Sequence, residues 1–398
     1  MTSNSNDDNA TAALLDRMLA QCTRDDASDV HLSPGLRPYF RIHGKLGPDA
    51  SYEPLTPATL EAIARELAAR CRRKPLGDIG SLDGALTAAD GARFRLNIYR
   101  RGTLIGVALR RLEEEFRTLA DLGLKNELYS LCNLTDGLVV VAGPTGAGKS
   151  TTLASLLHRI NQSRASHIVT IEDPIEYLHT SLQSLVNQRQ VGTDTESFYE
   201  ALVASLRQDP DVILVGEIRD LNTIRTAIAA AETGHLVFTT VHAGDCVGTI
   251  ERLVSVFPAD EQAGIRRQLS LVLRCIIAQH LIMCDGTAIQ RESRELAENN
   301  ALPLQPTRRR VVTSEVLMVN SAVANLIATG KSSQIYSALE TGSALGMHTL
   351  EEDLARLWHQ GFIAEQTALN MARNPNIVRD RLAARRMAPS LTSAGGRT

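Results

Sequence analysis

The stretch GPTGAGKST, at residues 143–151, decides the fold of this sequence. An apolar run, Leu138–Ala142, precedes it and a helical pattern, Thr152–His158, follows it, so a strand leads into a glycine-rich turn and then a helix. In such a turn, backbone N–H groups surround the phosphates of a nucleotide, Lys149 adds a positive charge, and Ser150 offers a hydroxyl to Mg²⁺. The alternative is a glycine-rich turn that carries a lysine by chance. The residues predicted to bind ATP here are Gly143, Pro144, Thr145, Gly146, Ala147, Gly148, Lys149, Ser150 and Thr151.

The composition is that of an ordinary globular protein. The chain has 398 residues, of which 43% are hydrophobic and 22% are charged, enough for two or three domains with buried cores. Its net charge of -3 gives no overall basic surface, so we expect no nucleic-acid partner. The six cysteines include no CxxC pair, which argues against a zinc knuckle or a disulfide scaffold and fits a reducing cytoplasm.

No stretch of the sequence predicts direct insertion into a membrane. The first residues, MTSNSNDDNAT, lack the basic start and apolar core of a signal peptide. The longest apolar run of the C-terminal half, residues 269–283, contains Arg274, Gln279 and His280 and is too short to span a bilayer. Any role at a membrane is therefore expected to come through a partner protein.

The N-terminal part predicts a small α+β domain. Residues 1–11 are polar and acidic and predict a disordered tail. Residues 12–111 combine helical spacing with short alternating strands, the clearest of which are residues 93–99 and 103–110. Residues 112–136 are charged, lack a strand pattern and predict a linker.

Strand-like and helical runs alternate from residue 137 onward, which is typical of a parallel sheet covered by helices. The predicted strands are residues 138–142, 167–172, 212–215, 236–240 and 311–319. We predict that this α/β domain spans residues 137–320 and contains a solvent-exposed polar insertion at about 285–310. A small helical end is predicted over residues 321–387, followed by a second tail over residues 388–398.

Two acidic segments follow predicted strands and are candidates for the chemistry. Glu217 comes after the apolar strand Val212–Val215, where nucleotide-binding folds place a carboxylate that reaches Mg²⁺ directly or through water. The alternative for Glu217 is a strand-end carboxylate that faces solvent. In Glu172-Asp173-Pro174-Ile175-Glu176, three carboxylates are candidates to orient or deprotonate the attacking water. The alternative for Asp173 is the N-cap of a helix.

Histidines and arginines complete the set of candidates. His235 and His242 stand at the two ends of the predicted strand 236–240, and an imidazole can donate to a γ-phosphate oxygen. The alternative for each is a structural hydrogen bond. A guanidinium commonly stabilises a phosphoryl group in transfer. The arginine candidates, each of which taken singly is also a surface or salt-bridge residue, are Arg93, Arg95, Arg110, Arg207 and Arg219.

These motifs resemble those of the type II and type IV secretion ATPases, and most of all the PilT-like twitching motility ATPases. The similarity runs from about Asp26 to Ala372. GPTGAGKSTT is similar to the family's Walker A motif, TIEDPIEYLH to its aspartate box, RQDPDVILVGEIRD to its Walker B motif and AETGHLVFTTVHA to its histidine box. DASDVHL, RIHGKL and RFRLNIYR resemble the family's PAS-like N-terminal domain.

The resemblance implies a RecA-like motor domain preceded by a PAS-like domain, assembled as a hexameric ring with nucleotide held between the two domains. It implies Glu176 as the water-activating carboxylate, Glu217 as the Walker B residue, and His235 and His242 as histidine-box residues. It also implies that Arg93 or Arg95 reaches a nucleotide. These roles come from the positions of the residues in the matching motifs.

The function implied is a cytoplasmic ATPase at the inner face of the cytoplasmic membrane, held there by a pilus or secretion platform protein. It would power type IV pilus retraction and twitching motility. The first alternative is an ATPase that drives type II secretion, or pilus or pseudopilus assembly. The second is a nucleotide-dependent regulator that does not hydrolyse ATP.

Two departures from the family pattern bear on the choice. The assembly ATPases carry a four-cysteine zinc motif, which this sequence lacks. The retraction branch carries AIRNLIRE near its C-terminus, whereas residues 322–329 here read AVANLIAT, without the charged residues. The motif GSALGMHTLEEDL, at residues 342–354, matches the PilT-like end.

Overall fold

The structure is a computed structural model that describes residues 3–42, 44–77, 79–112, 115–284 and 310–387. The chain forms two compact units, each described by itself below. Unit 1 comprises Met1–Phe116, Thr170–Thr180 and Val186–Ala201. Unit 2 comprises Arg117–Val169, Ser181–Leu185 and Leu202–Thr398.

Unit 1 is built on a six-stranded antiparallel sheet with the strand order β3-β2-β1-β6-β5-β4. Its strands are β1 (Ala27–Leu32), β2 (Tyr39–Ile42), β3 (Lys45–Pro48), β4 (Ser81–Thr87), β5 (Arg93–Arg101) and β6 (Leu104–Arg111). Its helices are α1 (Ser3–Arg24) and α2 (Pro57–Arg70). The predicted α+β domain is confirmed.

Alternation along β5 explains how this sheet separates its core from its polar face. Phe94 and Leu96 are buried in the core, whereas Arg93, Arg95 and Asn97 point to the opposite face, because successive side chains of a strand alternate. Full burial of one large apolar side chain stabilises the fold by about 1.5–3 kcal/mol. The polar face therefore carries the candidate arginines while the apolar face holds the unit together.

Helix α1 begins at Ser3, so the prediction of a disordered tail over residues 1–11 is wrong for residues 3–11. Leu15, Met18 and Leu19 in the second half of α1 are buried in the core of unit 1. Once these buried residues have fixed the helix, each further residue adds one backbone hydrogen bond. The polar residues before them can therefore extend α1 toward its N-terminus.

The second sheet has seven strands in the order β13-β12-β7-β11-β10-β8-β9. Strands β10, β11, β7 and β12 are parallel, and β13 is antiparallel to β12. The strands are β7 (Gly137–Ala142), β8 (His167–Glu172), β9 (Leu185–Gln190), β10 (Val212–Val215), β11 (Leu236–Val241), β12 (Leu273–Met283) and β13 (Arg310–Met318). The five predicted strands are all present, and β9 and β12 were not predicted. The RecA-like parallel fold is confirmed.

Helices flank this sheet and form the C-terminal end. They are α3 (Leu119–Leu122), α4 (Lys149–Ser163), α5 (Phe198–Ser205), α6 (Leu221–Glu232), α7 (Cys246–Ser255), α8 (Ala259–Val272), α9 (Ser321–Ala328), α10 (Ile335–Thr341), α11 (Leu350–His359), α12 (Glu365–Met371) and α13 (Pro375–Met387). Short 3-10 helices cover Asn126–Asn133, Ser332–Gln334 and Ser343–Leu345. The predicted helical end is confirmed. Among the described residues, no helix is long and apolar enough to cross a membrane.

Residues predicted as a linker are in part structured. Thr118 caps α3 through a reciprocal capping box with Asp121, and the 3-10 helix that follows buries Leu128 and Leu131. The charged residues around Leu128 and Leu131 made this short apolar repeat hard to identify from the sequence. The predicted insertion at about 285–310 and the tail 388–398 lie outside the described residues, apart from Arg310 at the start of β13.

Buried polar groups anchor the helical end of unit 2 to β13. The carboxylate of Asp353, 1% exposed, accepts hydrogen bonds from the backbone N–H of Ser314 at 2.9 Å and the hydroxyl of Thr313 at 3.2 Å. Arg356 donates to the same carboxylate at 2.6 Å. Because an unsatisfied buried polar group is costly, this network fixes α11 on the sheet.

Candidate nucleotide-binding site

The phosphate loop connects the end of β7 to the start of α4. Gly143 and Gly148 have φ angles of 153° and 86°, which L side chains rarely adopt. A Cβ on Gly143 would lie 2.4 Å from the carbonyl oxygen of Gln279, so only glycine fits there. Gly148 is the N-cap of α4 and offers no side chain, which leaves the first N–H groups of the helix available to a ligand.

Lys149 lies inside this loop. Its Nζ donates to the carbonyl oxygens of Gly143 at 3.0 Å and Pro144 at 3.1 Å. The residue is 9% exposed, so the ammonium is held by the loop rather than by bulk water. The ammonium of Lys149 is therefore surrounded by the backbone of the loop, which is the place where a lysine can bind a phosphate.

Ser150 and Thr151 occupy the first turn of α4 and are partly exposed. The N-terminal turn of a helix carries a partial positive charge that favours a phosphate. A hydroxyl at this place suits Mg²⁺, which is usually held by one or two protein oxygens together with phosphates and water.

Glu217 and His242 meet at the same edge of the sheet. Glu217 follows β10 and His242 follows β11, and Nε2 of His242 lies 3.3 Å from Oε1 of Glu217. Arg219 donates to Oε2 of Glu217 at 2.6 Å. Because β7, β10 and β11 are parallel, their carboxyl ends lie at the edge that carries the phosphate loop.

Charge around Glu217 keeps its carboxyl ionised. Burial raises the pKa of this carboxyl, but the hydrogen bond and charge of Arg219, with the nearby charges of His242 and Lys149, outweigh burial and lower the pKa below its ordinary value. Among the described residues, no group of three or more His, Cys, Asp or Glu side chains could hold a metal. Ser150 and Glu217 offer the kind of oxygen that Mg²⁺ prefers, and so few protein oxygens would suit an ion that is also held by phosphates.

His235 lies at the opposite end of β11 from His242 and the phosphate loop of the same chain, so its role at a γ-phosphate stays a prediction. In the register of β11 with β7, Leu236 pairs with Gly137 and Val241 pairs with Ala142. A strand of this length separates its two ends by about 20 Å at 3.3 Å per residue. The ring nitrogen Nδ1 of His235 instead contacts the carbonyl oxygen of Ala230 at 2.9 Å, at the end of α6.

Unit 1 contains a pocket of about 420 Å³ that gathers several other predicted residues. Arg95, Arg110 and Glu176 line it, with Asp29 and His31. The Nη1 of Arg95 lies 3.8 Å from Oε1 of Glu176. The pocket therefore presents two guanidinium groups and one carboxylate that is partly exposed.

Asp29 binds Arg110 of this pocket and lies close to Arg41 outside it. Its carboxylate, 5% exposed, accepts from Nε of Arg110 at 2.8 Å and lies 3.3 Å from Nε of Arg41. Burial raises the pKa of Asp29, but hydrogen bonds from Ser28 and Arg110 outweigh burial and lower it. Sequence analysis missed Asp29 as a candidate, although it lies in the quoted DASDVHL motif.

Arg93 is placed differently from Arg95. Its guanidinium donates to the hydroxyl of Thr87 at 3.1 Å and to Oε1 of Gln190 at 3.4 Å, and burial lowers its pKa. It is not among the residues that line the pocket. In unit 2, Arg219 contacts Glu217 as described above, and Arg207 is exposed.

The acidic turn after β8 holds three carboxylates in three environments. Glu172 accepts from the hydroxyl of Thr170 at 2.7 Å and from Nε2 of Gln188 at 3.2 Å. Atoms packed around its carboxyl desolvate it and raise its pKa to about 7. Asp173 is exposed, and Glu176 faces the pocket.

The alternative of Asp173 as a helix N-cap is wrong. No helix begins in the described residues 173–184. The backbone N–H of Ile175 donates to Oε1 of Gln190 at 3.3 Å, and that of His179 donates to Oε1 of Gln188 at 2.7 Å. Side chains of β9 thus satisfy backbone groups that a helix would otherwise have paired.

Comparison with known proteins identifies the family. The profile of the type II/IV secretion system proteins matches residues 4–361. The chain belongs to this family. The chain is similar to the type IV pilus retractation ATPase PilT of Pseudomonas aeruginosa, at 40% identity over 358 residues, with 90% of this chain and 98% of PilT covered. The predicted resemblance is confirmed.

Two further comparisons agree with this assignment. A twitching motility protein of Neisseria gonorrhoeae is 42% identical over 284 residues, covering 71% of this chain and 70% of that protein. The crystal structure of the pilus retraction motor PilT with bound ADP matches with a TM-score of 0.78 at 36% identity, covering 92% of this chain and 98% of that one.

Proposed function

We propose that this family member is an ATPase that hydrolyses ATP to power type IV pilus retraction and twitching motility. The observation that carries the proposal is the contact of His242 with Glu217 at the sheet edge that bears the phosphate loop. This arrangement puts a phosphate-binding loop, a charged carboxylate and an imidazole around one place in unit 2. The similarity to PilT over nearly the whole chain supports the direction of the motor.

The residues of unit 2 divide the work at the nucleotide. Backbone N–H groups of the loop and of the first turn of α4, together with the ammonium of Lys149, bind the phosphates. Ser150 and Glu217 would hold Mg²⁺, which neutralises charge that develops on the phosphates. The lowered pKa of Glu217 keeps its carboxylate charged at neutral pH. His242, whose Nε2 lies 3.3 Å from Oε1 of Glu217, would donate a hydrogen bond to a phosphate oxygen.

The residues of the unit 1 pocket supply two further proposed roles. Glu176 would orient or deprotonate the attacking water, as its place in the aspartate box implies. Arg95 and Arg110 would stabilise phosphoryl charge. Arg93, whose guanidinium is already bonded to Thr87 and Gln190, is the weakest of the three arginine candidates.

The assembly we propose is a hexameric ring, cytoplasmic and held at the inner face of the membrane by a pilus or secretion platform protein. The family motifs support this proposal. A second candidate function, in secretion or pilus assembly, is favoured by α9, where the stretch that matches AIRNLIRE carries no charged side chain. A regulator that binds ATP without hydrolysing it is the third candidate.

Deletion and complementation in the organism of origin tests the direction of the motor. The deletion strain receives the wild-type gene, Glu217→Gln, or Glu232→Gln as a matched control with an exposed carboxylate at the end of α6. We expect the deletion and Glu217→Gln strains to keep surface pili but lose twitching, and the other two strains to twitch. Loss of surface pili in the deletion strain would instead establish the assembly function.

A further inference from the structure

Beneath the phosphate loop lies a fully buried carboxamide, that of Gln279 on β12. Strand β12 is the parallel neighbour of β7, with Ala278 paired to Ala142, so Gln279 stands level with the first residue of the loop. Its strand neighbours Ile276, Ile277 and Ala278 are apolar and buried. A polar group buried among such neighbours is costly unless it is hydrogen-bonded.

Both hydrogen bonds of this carboxamide go to the nucleotide-binding element. Nε2 of Gln279 donates to the carbonyl oxygen of Ala147 at 2.7 Å. Oε1 of Gln279 accepts from the hydroxyl of Thr152, also fully buried, at 3.0 Å. The side chain thus joins the last turn of the loop to the first turn of α4.

The backbone of Gln279 also contacts the loop. Its carbonyl oxygen is the atom that a Cβ on Gly143 would meet at 2.4 Å, and its Nε2 would lie 3.4 Å from a Cβ on Gly148. Gln279 therefore packs against the first and the last glycine of the loop, Gly143 and Gly148.

We propose that Gln279 is a positioning residue that sets the orientation of the phosphate loop for nucleotide. The carbonyl of Ala147 and the N–H of Gly148 belong to one planar trans peptide, in which they point in opposite directions. The bond to Gln279 turns this carbonyl toward β12 and turns the N–H of Gly148 away from it, toward the phosphates. The inference rests on the proposed binding of nucleotide at this loop.

The test measures the affinity for ADP with Mg²⁺ by calorimetry, on folded full-length protein. Gln279→Met removes both hydrogen bonds at similar volume and is expected to weaken binding by about tenfold, the effect of losing about 1.4 kcal/mol. Thr152→Val removes one partner and is expected to weaken binding by about threefold. The matched control is Gln21→Met, which removes a carboxamide of unit 1, 9% exposed, that bonds Tyr52 and Asp49.

The variant Gln279→Glu distinguishes a role in positioning the loop from a role in stabilising the fold. In Gln279→Glu the carboxyl can donate to Ala147 only while protonated, so its affinity relative to wild type is expected to fall between about pH 6 and about pH 8. A purely structural role would lower the melting temperature and leave this ratio unchanged.

The outcomes are distinct. Equal affinity of wild type and Gln279→Met, with a pH-independent ratio for Gln279→Glu, overturns the positioning role while nucleotide binding stands. Absence of ADP binding in the wild type overturns the proposed function, and this inference with it. If Gln279→Met does not fold, Gln279→Glu and Thr152→Val decide in its place.

Discussion

Replacing Glu172 by glutamine should stabilise the folded protein at alkaline pH far more than at acidic pH. The carboxyl of Glu172 is desolvated by its surroundings, and this effect outweighs hydrogen bonds from Thr170, Gln188 and the backbone of Glu176. Its pKa therefore rises from an ordinary 4.5 to about 7 in the folded state. Glutamine keeps one oxygen, which can accept the bonds that Thr170 and Gln188 both donate to Oε1, but it cannot ionise.

The size of the effect follows from proton linkage. Between pH 4.5 and about 7 the folded state retains a proton that the unfolded chain has released, so stability falls as pH rises. Each pH unit in this window costs about 1.4 kcal/mol, so the free energy of unfolding of the wild type falls by about 3 kcal/mol across it. Below pH 4.5 and above about pH 7 this residue adds no further slope.

Urea unfolding followed by far-ultraviolet circular dichroism, at about pH 5 and about pH 8, measures the effect. Tryptophan fluorescence is unsuitable because the single tryptophan, Trp358, lies in unit 2, whereas Glu172 lies in unit 1. Asp173→Asn is the matched control, since that carboxylate is exposed in the same turn. We expect the stability difference between Glu172→Gln and wild type to grow by about 3 kcal/mol from acid to alkali. The same difference at both pH values would refute the reasoning.

Three further predictions concern unit 2. Lys149→Ala should weaken ADP binding by about a hundredfold, because it removes a charged donor from the loop, and unchanged affinity by calorimetry would argue against a phosphate loop. His242→Ala should lower kcat by about tenfold or more in a steady-state assay, whereas His235→Ala should leave kcat within about twofold, and the reverse order would contradict the placement of the two histidines. Asp353→Ala should destabilise the protein by about 3 kcal/mol by stripping buried donors of their acceptor, read from Trp358 fluorescence on the same helix, and a loss under about 1 kcal/mol would contradict the anchoring role.

Local patterns sufficed for the elements that carry the loop. Each of these elements is one continuous stretch of sequence, so glycine spacing and apolar runs predicted the phosphate loop, β7 and the strand that ends before Glu217. Strand β12 was missed because Arg274, Gln279 and His280 interrupt its apolar run. The buried Gln279 is explained only by the position of β12 beside β7 in the sheet. The order of strands in a sheet cannot be derived from the local sequence pattern.

Contacts between distant segments escaped prediction for the same reason. The approach of Arg95 to Glu176, and of Asp29 to Arg110, joins residues about 80 positions apart, which depends on how strands and turns pack. The distance between His235 and His242 could have been predicted from the sequence. Two residues that bracket one strand must lie at opposite ends of it, and the length of the strand alone separates them.

The measurement that tests the central claim most directly is ATP hydrolysis by the wild type and Glu217→Gln over a range of protein concentrations, with the mass of each sample determined in parallel. The account predicts that activity per chain rises as a hexamer forms and is absent in Glu217→Gln, which still binds ATP. A monomer without turnover at any concentration, or full turnover in Glu217→Gln, would contradict it.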